Sequence, residues 1–127
     1  TDIGLRNTSL YFRQIEETHI MENIIYNELQ IRGYNVDVGE VNIGGNRMTE
    51  VDFVANLGNK RYYIQSALTM PTVEKIMQEK KSLLGIRDGF KKIIITKENI
   101  LRAYQDEDGI TIMSLKEFLL NKNSLDI

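Results

Sequence analysis

Glu50-Val51-Asp52-Phe53-Val54-Ala55 and, after a short polar turn, Arg61-Tyr62-Tyr63-Ile64-Gln65-Ser66-Ala67 are the stretches on which the fold depends. Both are rich in β-branched and aromatic residues, and Asn56-Leu57-Gly58-Asn59-Lys60 between them carries turn chemistry. A hairpin of these strands sets Asp52 beside Gln65 in a small sheet. A carboxylate within Val-Asp-Phe-Val-Ala is costly to desolvate, and a bound divalent cation is one of few partners that offset this. The plainer reading has Asp52 hydrogen-bonded to nearby backbone or to Arg47, and Gln65 as a satisfied core amide.

Working outward, an irregular polar opening precedes Thr18, which caps a helix running to about Arg32. Ile20, Met21, Ile24, Ile25 and Leu29 recur at helical spacing and Gly33 supplies the stop. Tyr34, Val36 and Val38 alternate with polar residues, and Val41 and Ile43 continue that strand to a turn at Gly44-Gly45-Asn46. Three antiparallel strands result. Pro71 opens a second helix whose stripe is Val73, Ile76, Met77, Lys80 and Leu84, ended by Gly85 or by Asp88-Gly89. Lys92-Ile93-Ile94-Ile95-Thr96 reads as a strand buried on both faces. A polar helix or loop over 98–104 and a turn at Asp106-Glu107-Asp108-Gly109 lead to the strand Ile110–Met113. A last helix follows from Ser114 to about Leu120, with a Ser114/Glu117 capping box and a frayed tail over 121–127. The expectation is one α/β domain over 1–127: an α-β-β-β-α-β core with a mixed central sheet flanked by helices, plus an extra C-terminal strand and helix.

Composition narrows the chemistry. The chain has no cysteine and a single histidine, His19, so thiolate and His-rich zinc centres are excluded and any metal is a hard cation held by oxygens. No apolar run is long enough to cross a bilayer, and the expected setting is cytoplasmic, away from membranes. The net charge of −2 is unevenly spread. Residues 75–102 hold eight basic and three acidic side chains, between acidic flanks. Lys75, Lys80, Lys81, Lys91 and Lys92 are read there as a phosphate-facing patch, against the alternative of an ordinary solvated face. Of the Tyr62-Tyr63 pair, one ring is expected in the core and the other free to stack on a base. His19 reads as a surface residue.

Glu22 borders the buried stripe of the first helix, so it can be aimed at Asp52 and Gln65. Three oxygen donors from a helix and two strands make a magnesium cradle, with water completing the shell. This element order, with Glu22, Asp52 and Gln65-Ser66-Ala67, resembles the PD-(D/E)XK nuclease fold of restriction endonucleases and archaeal Holliday junction resolvases. More closely, the chain resembles the C-terminal domain of unknown function of prokaryotic AAA-type ATPases. Phrases along the whole chain carry that likeness: Asp2-Ile3-Gly4-Leu5-Arg6-Asn7, Met21-Glu22-Asn23-Ile24-Ile25-Tyr26-Asn27-Glu28-Leu29, Arg32-Gly33-Tyr34, Leu83-Leu84-Gly85-Ile86-Arg87-Asp88 and Asp106-Glu107-Asp108-Gly109-Ile110. The resemblance implies a domain excised from a longer protein, with an ATPase module before Thr1 as its natural partner. No Gly-x-x-x-x-Gly-Lys-Ser/Thr occurs within the chain, so ATP belongs to that module.

Within the resemblance, Asp52 matches the metal aspartate and Glu22 the helix glutamate. Gln65 stands where a second acidic ligand belongs and Ala67 where the catalytic lysine belongs. The implied function is a degenerate, non-catalytic nuclease-like module that binds nucleic acid or a protein partner. The alternative is a working Mg2+-dependent nuclease whose lysine has moved, with Lys80 as the candidate. A homo-oligomer is a further expectation.

Overall fold

The computed structural model describes residues 2–45, 47–69, 73–86 and 88–126, with side chains for 12–41, 45, 47–69, 74–86 and 88–126. Helix α1 (Asp2–Ile31) leads into strands β1 (Asn35–Gly44), β2 (Arg47–Leu57) and β3 (Lys60–Ala67), then α2 (Val73–Leu84) and β4 (Lys91–Thr96). Strands β5 (Tyr104–Gln105) and β6 (Thr111–Ser114), helix α3 (Leu115–Leu120) and a 3-10 turn at Ser124–Asp126 complete the chain. The sheet runs β1-β2-β3-β4-β6-β5. Strands β1 to β3 are antiparallel, β3, β4 and β6 are mutually parallel, and β5 is antiparallel to β6. The fold is therefore mixed α/β, with the α-β-β-β-α-β order expected from the sequence.

Alternation along β3 shows how the two faces are filled. Tyr62 and Ile64 join Met21, Ile25 and Leu29 of α1 and Phe118 of α3 on one side. Tyr63 and Ala67 join Leu83 of α2, with Val54 and Ile94, on the other. Ile93, Ile94 and Ile95 have no exposed surface, as their unbroken apolar run implies. Each such side chain contributes about 1.5–3 kcal/mol of hydrophobic stabilisation.

Several expectations need correcting. Helix α1 begins at Asp2, so the opening is helical rather than irregular and Thr18 lies inside the helix. Its hydroxyl donates to the Gln14 carbonyl at 2.9 Å, a back-bond that makes a helix-interior threonine tolerable. Of the α1 stripe, Met21, Ile25 and Leu29 are buried, while Ile20 and Ile24 are exposed, because contact with one sheet face needs only an i, i+4, i+8 row. Among the described side chains of α2, Lys80 and Leu83 are buried and Ile76 packs partly buried against the core, while Met77 and Leu84 face outward; the Val73 side chain lies outside the described residues. The Pro71 helix start lies outside the described residues, as does Asn46 of the first hairpin.

The tail over 121–126 is docked, not frayed. Arg32, just beyond α1, donates to Glu28 at 3.1 Å, to the Ser124 hydroxyl at 3.0 Å and to the Phe118 carbonyl. Its guanidinium also stands 4.6 Å from the Phe118 ring centre. The Tyr62 hydroxyl donates to Asp126, and Leu125 is buried. One arginine thus ties the end of the first helix to the end of the chain.

Candidate functional site

Strand β2 carries an extra residue at the position of interest. Asp37 pairs with Val54 and Gly39 with Val51, so two steps along β1 answer three along β2. The bulge falls at Asp52–Phe53 and reverses the alternation: Val51 is buried on the α2 side and Phe53 on the α1 side. Gly39 holds φ at 119° opposite it, a conformation that glycine adopts without strain. Regular β2–β3 pairing reaches Phe53↔Ile64. One step further, the Asp52 N–H donates to the side-chain oxygen of Gln65 at 2.8 Å. The Asp52 carboxylate accepts from the Ser66 N–H at 2.8 Å and the Ser66 hydroxyl at 2.9 Å. Gln65 therefore clamps the aspartate's backbone, and Ser66 clamps one carboxylate oxygen.

Glu22 of α1 comes to the same place. Glu22, Asp52 and Gln65 line one cleft of about 440 Å³, together with Glu40, Glu50 and Ser82. Burial raises the Glu22 pKa above the ordinary carboxylate value and the negative charge of Asp52 raises it further, while His19 opposes both. Glu79 of α2 feels Asp52 as well. Burial raises its pKa and Asp52 adds to this, against Lys75, whose ammonium lies 3.5 Å away. Lys75 and Glu79 line a second cleft of about 550 Å³ with His19, Ser66 and Ala67. His19 is exposed, as the sequence suggests, and the plainer expectation holds in that Asp52 is bonded to nearby backbone, the Ser66 N–H, and the Gln65 oxygen has a partner; the bond to Arg47 is not made.

The structure thus unites Glu22, Asp52 and Gln65 and places Lys80 elsewhere. Lys80 is buried, and its ammonium lies 2.8 Å from Asp106 and 2.5 Å from Asp108, in the turn between β5 and β6. Those two hydrogen bonds raise its pKa against the effect of burial. Its cation is spent on holding α2 to that turn, and it does not line the Glu22–Asp52 cleft.

The five lysines do not share one face. Lys80 is interior, and Lys91 and Lys92 alternate to opposite sides of β4. Burial lowers the Lys91 pKa, opposed by Asp126. Lys92 donates to the Asp88 and Phe90 carbonyls at 3.1 Å each. Neither tyrosine of the pair is free to stack: both are buried, with Tyr63 donating to Asp88 at 2.5 Å. Two contributors escape a sequence reading. Ser66 looks like an ordinary strand serine, and Glu79 sits outside the expected stripe of its helix.

Whether a hard cation fits is decided by the donors. Glu22 and Asp52 supply two carboxylates, but one Asp52 oxygen is committed to Ser66 and the Gln65 oxygen to a backbone N–H. Among the described residues, no three His, Cys, Asp or Glu side chains are gathered closely enough to hold a metal ion. The set fits a magnesium ion poorly.

No family model matches the chain. It is similar to an uncharacterized protein of Haemophilus influenzae, 33% identical over 119 residues that cover 94% of this chain. Those residues amount to 27% of that relative, so the chain spans about a quarter of the relative's length. It also resembles the crystal structure of a protein of unknown function, AF1548, with a TM-score of 0.53 at 18% identity over 76% of this chain and 57% of that one. That likeness concerns the fold alone. No helix among the described residues is long and apolar enough to cross a membrane.

Proposed function

We propose that the chain is a degenerate nuclease-like domain of the PD-(D/E)XK type, non-catalytic and kept for binding nucleic acid or a protein partner. The observation that carries this reading is the convergence of Glu22, Asp52 and Gln65 on one cleft at a β-bulge, with Ala67 beside it and Lys80 drawn away. A helix glutamate and two neighbouring strand residues lining one cleft is the layout that serves a metal-assisted attack on a phosphodiester when all three are acidic and free to bind the ion. Here the amide at position 65 is neutral and the methyl at position 67 cannot orient water or neutralise a phosphate. The relative in which this sequence is about a quarter of the length supports a role as one module of a longer protein. An AAA-type ATPase in a prokaryotic cytoplasm is the proposed context, with ATP bound by that other module.

A second reading is favoured by Lys75, which lines not the Glu22–Asp52 cleft but the second one, beside Ser66 and Ala67, where it is ion-paired with Glu79. It is an active Mg2+-dependent nuclease in which Lys75, rather than Lys80, supplies the positive charge. Restoration separates the two. The double variant Gln65→Glu/Ala67→Lys rebuilds the absent acid and base on the existing strand. Metal-dependent cleavage of DNA or RNA by this variant, over an inactive parent, supports the degenerate reading. A folded double variant as inert as its parent counts against nuclease ancestry.

A further inference from the structure

The outward face of α2 has a pattern that the cleft does not use. Glu74, Met77, Gln78, Lys81 and Leu84 line a shallow depression of about 360 Å³, with Met77 58% and Leu84 44% exposed. Helical geometry puts Glu74, Gln78 and Lys81 on the side opposite Leu83, with Met77 and Leu84 along one flank. Glu74 and Lys81 are exposed, and neither has an ion-pair partner among the described residues.

We propose that this face pairs two copies of the chain, α2 against α2, antiparallel about a two-fold axis between Met77 and Gln78. The sequence of the face is self-complementary about that point, since Glu74 and Lys81 lie three and a half positions to either side. Rotation places Glu74 of each copy opposite Lys81 of the other, forming two equivalent ion pairs across an isologous contact. The same rotation keeps the apolar flanks on one side, so the Met77 side chains meet each other and fill the depression. Charge complementarity selects a second copy over an unrelated apolar partner. A single helix face is small beside a standard interface, so the dimer is weak.

Sedimentation equilibrium of the 127-residue chain from about 10 µM to about 1 mM tests this. The wild type shifts from monomer to dimer across the range. Met77→Glu abolishes the shift, and Lys81→Glu weakens association about tenfold by replacing two attractions with two repulsions. The charge swap Glu74→Lys/Lys81→Glu restores association to within about threefold of wild type. All these positions are exposed, and unchanged thermal melts confirm that each variant folds. A wild type that stays monomeric, a dimer indifferent to Met77→Glu, or a swap that fails to rescue Lys81→Glu overturns the proposal.

Discussion

Replacing Lys80 by methionine keeps most of the buried stem and removes only its charge. The ammonium lies 2.8 Å from Asp106 and 2.5 Å from Asp108, and its own side chain is 5% exposed. Two charge-assisted hydrogen bonds are lost. Asp106 keeps backbone donors from Asp108 and Ile110, both at 3.0 Å, and Asp108 is 40% exposed, so neither carboxylate is stranded in a dry interior. The loss is therefore smaller than for a sealed ion pair, about 2–3 kcal/mol. For a domain of this size that lowers Tm by roughly 8–12 °C. Acid narrows the difference. Burial alone raises the Asp106 pKa, but Lys80 and the two backbone donors outweigh it and leave the carboxyl below its ordinary value. A depressed carboxyl pKa stabilises the fold above the unfolded value of about 3.9, and that stabilisation is lost as pH falls through the folded value. Thermal melts of wild type and Lys80→Met at pH 7 and below pH 4 check both parts. A variant within about 0.5 kcal/mol of wild type at pH 7 refutes the structural role given to Lys80.

Two further outcomes follow from the same geometry. Arg32→Ala removes the bonds to Ser124 and the Phe118 carbonyl and the contact with the Phe118 ring. It is expected to destabilise the domain by about 2–3 kcal/mol, with amide exchange accelerating first over 121–126; uniform acceleration along the chain contradicts tail docking. Glu22→Gln relieves a carboxylate whose pKa is raised by burial and by Asp52. A raised carboxyl pKa destabilises the charged form, so the variant is more stable at neutral pH by roughly 0.3 kcal/mol after solvent screening. The gain disappears as pH falls through the raised folded value and below the unfolded value of about 4.3. A stability loss at pH 7 in urea denaturation contradicts the proximity of Glu22 to Asp52.

The three-strand meander, the doubly buried β4 and the acidic turn at 106–109 are legible in the sequence because each rests on local chemistry: alternation, an unbroken apolar run and glycines at turns. The meeting of Asp52 with Gln65 is legible for the same reason, since a two-residue hairpin loop sets the register. The bulge at Asp52–Phe53 is not, because it appears only when β1 is laid against β2 and its Gly39 is found opposite. Lys80 is half legible. Its place on the buried side of α2 is correctly read, but its partners lie 26 and 28 residues away, beyond any helical or strand periodicity. The first half of α1 is missed because Gly4 and the run Asn7-Thr8-Ser9 are poor helix formers, and Thr18 imitates a cap. The docked tail is missed because Arg32 reaches it across 92 residues.

The central claim is that the cleft built by Glu22, Asp52 and Gln65 has kept its shape and lost its chemistry. The most direct measurement is cleavage of single- and double-stranded DNA and RNA by the purified chain in Mg2+ or Mn2+, beside Asp52→Ala. No cleavage above background by either protein is the expected result. Metal-dependent cleavage that is present in the wild type and absent from a folded Asp52→Ala variant contradicts the account.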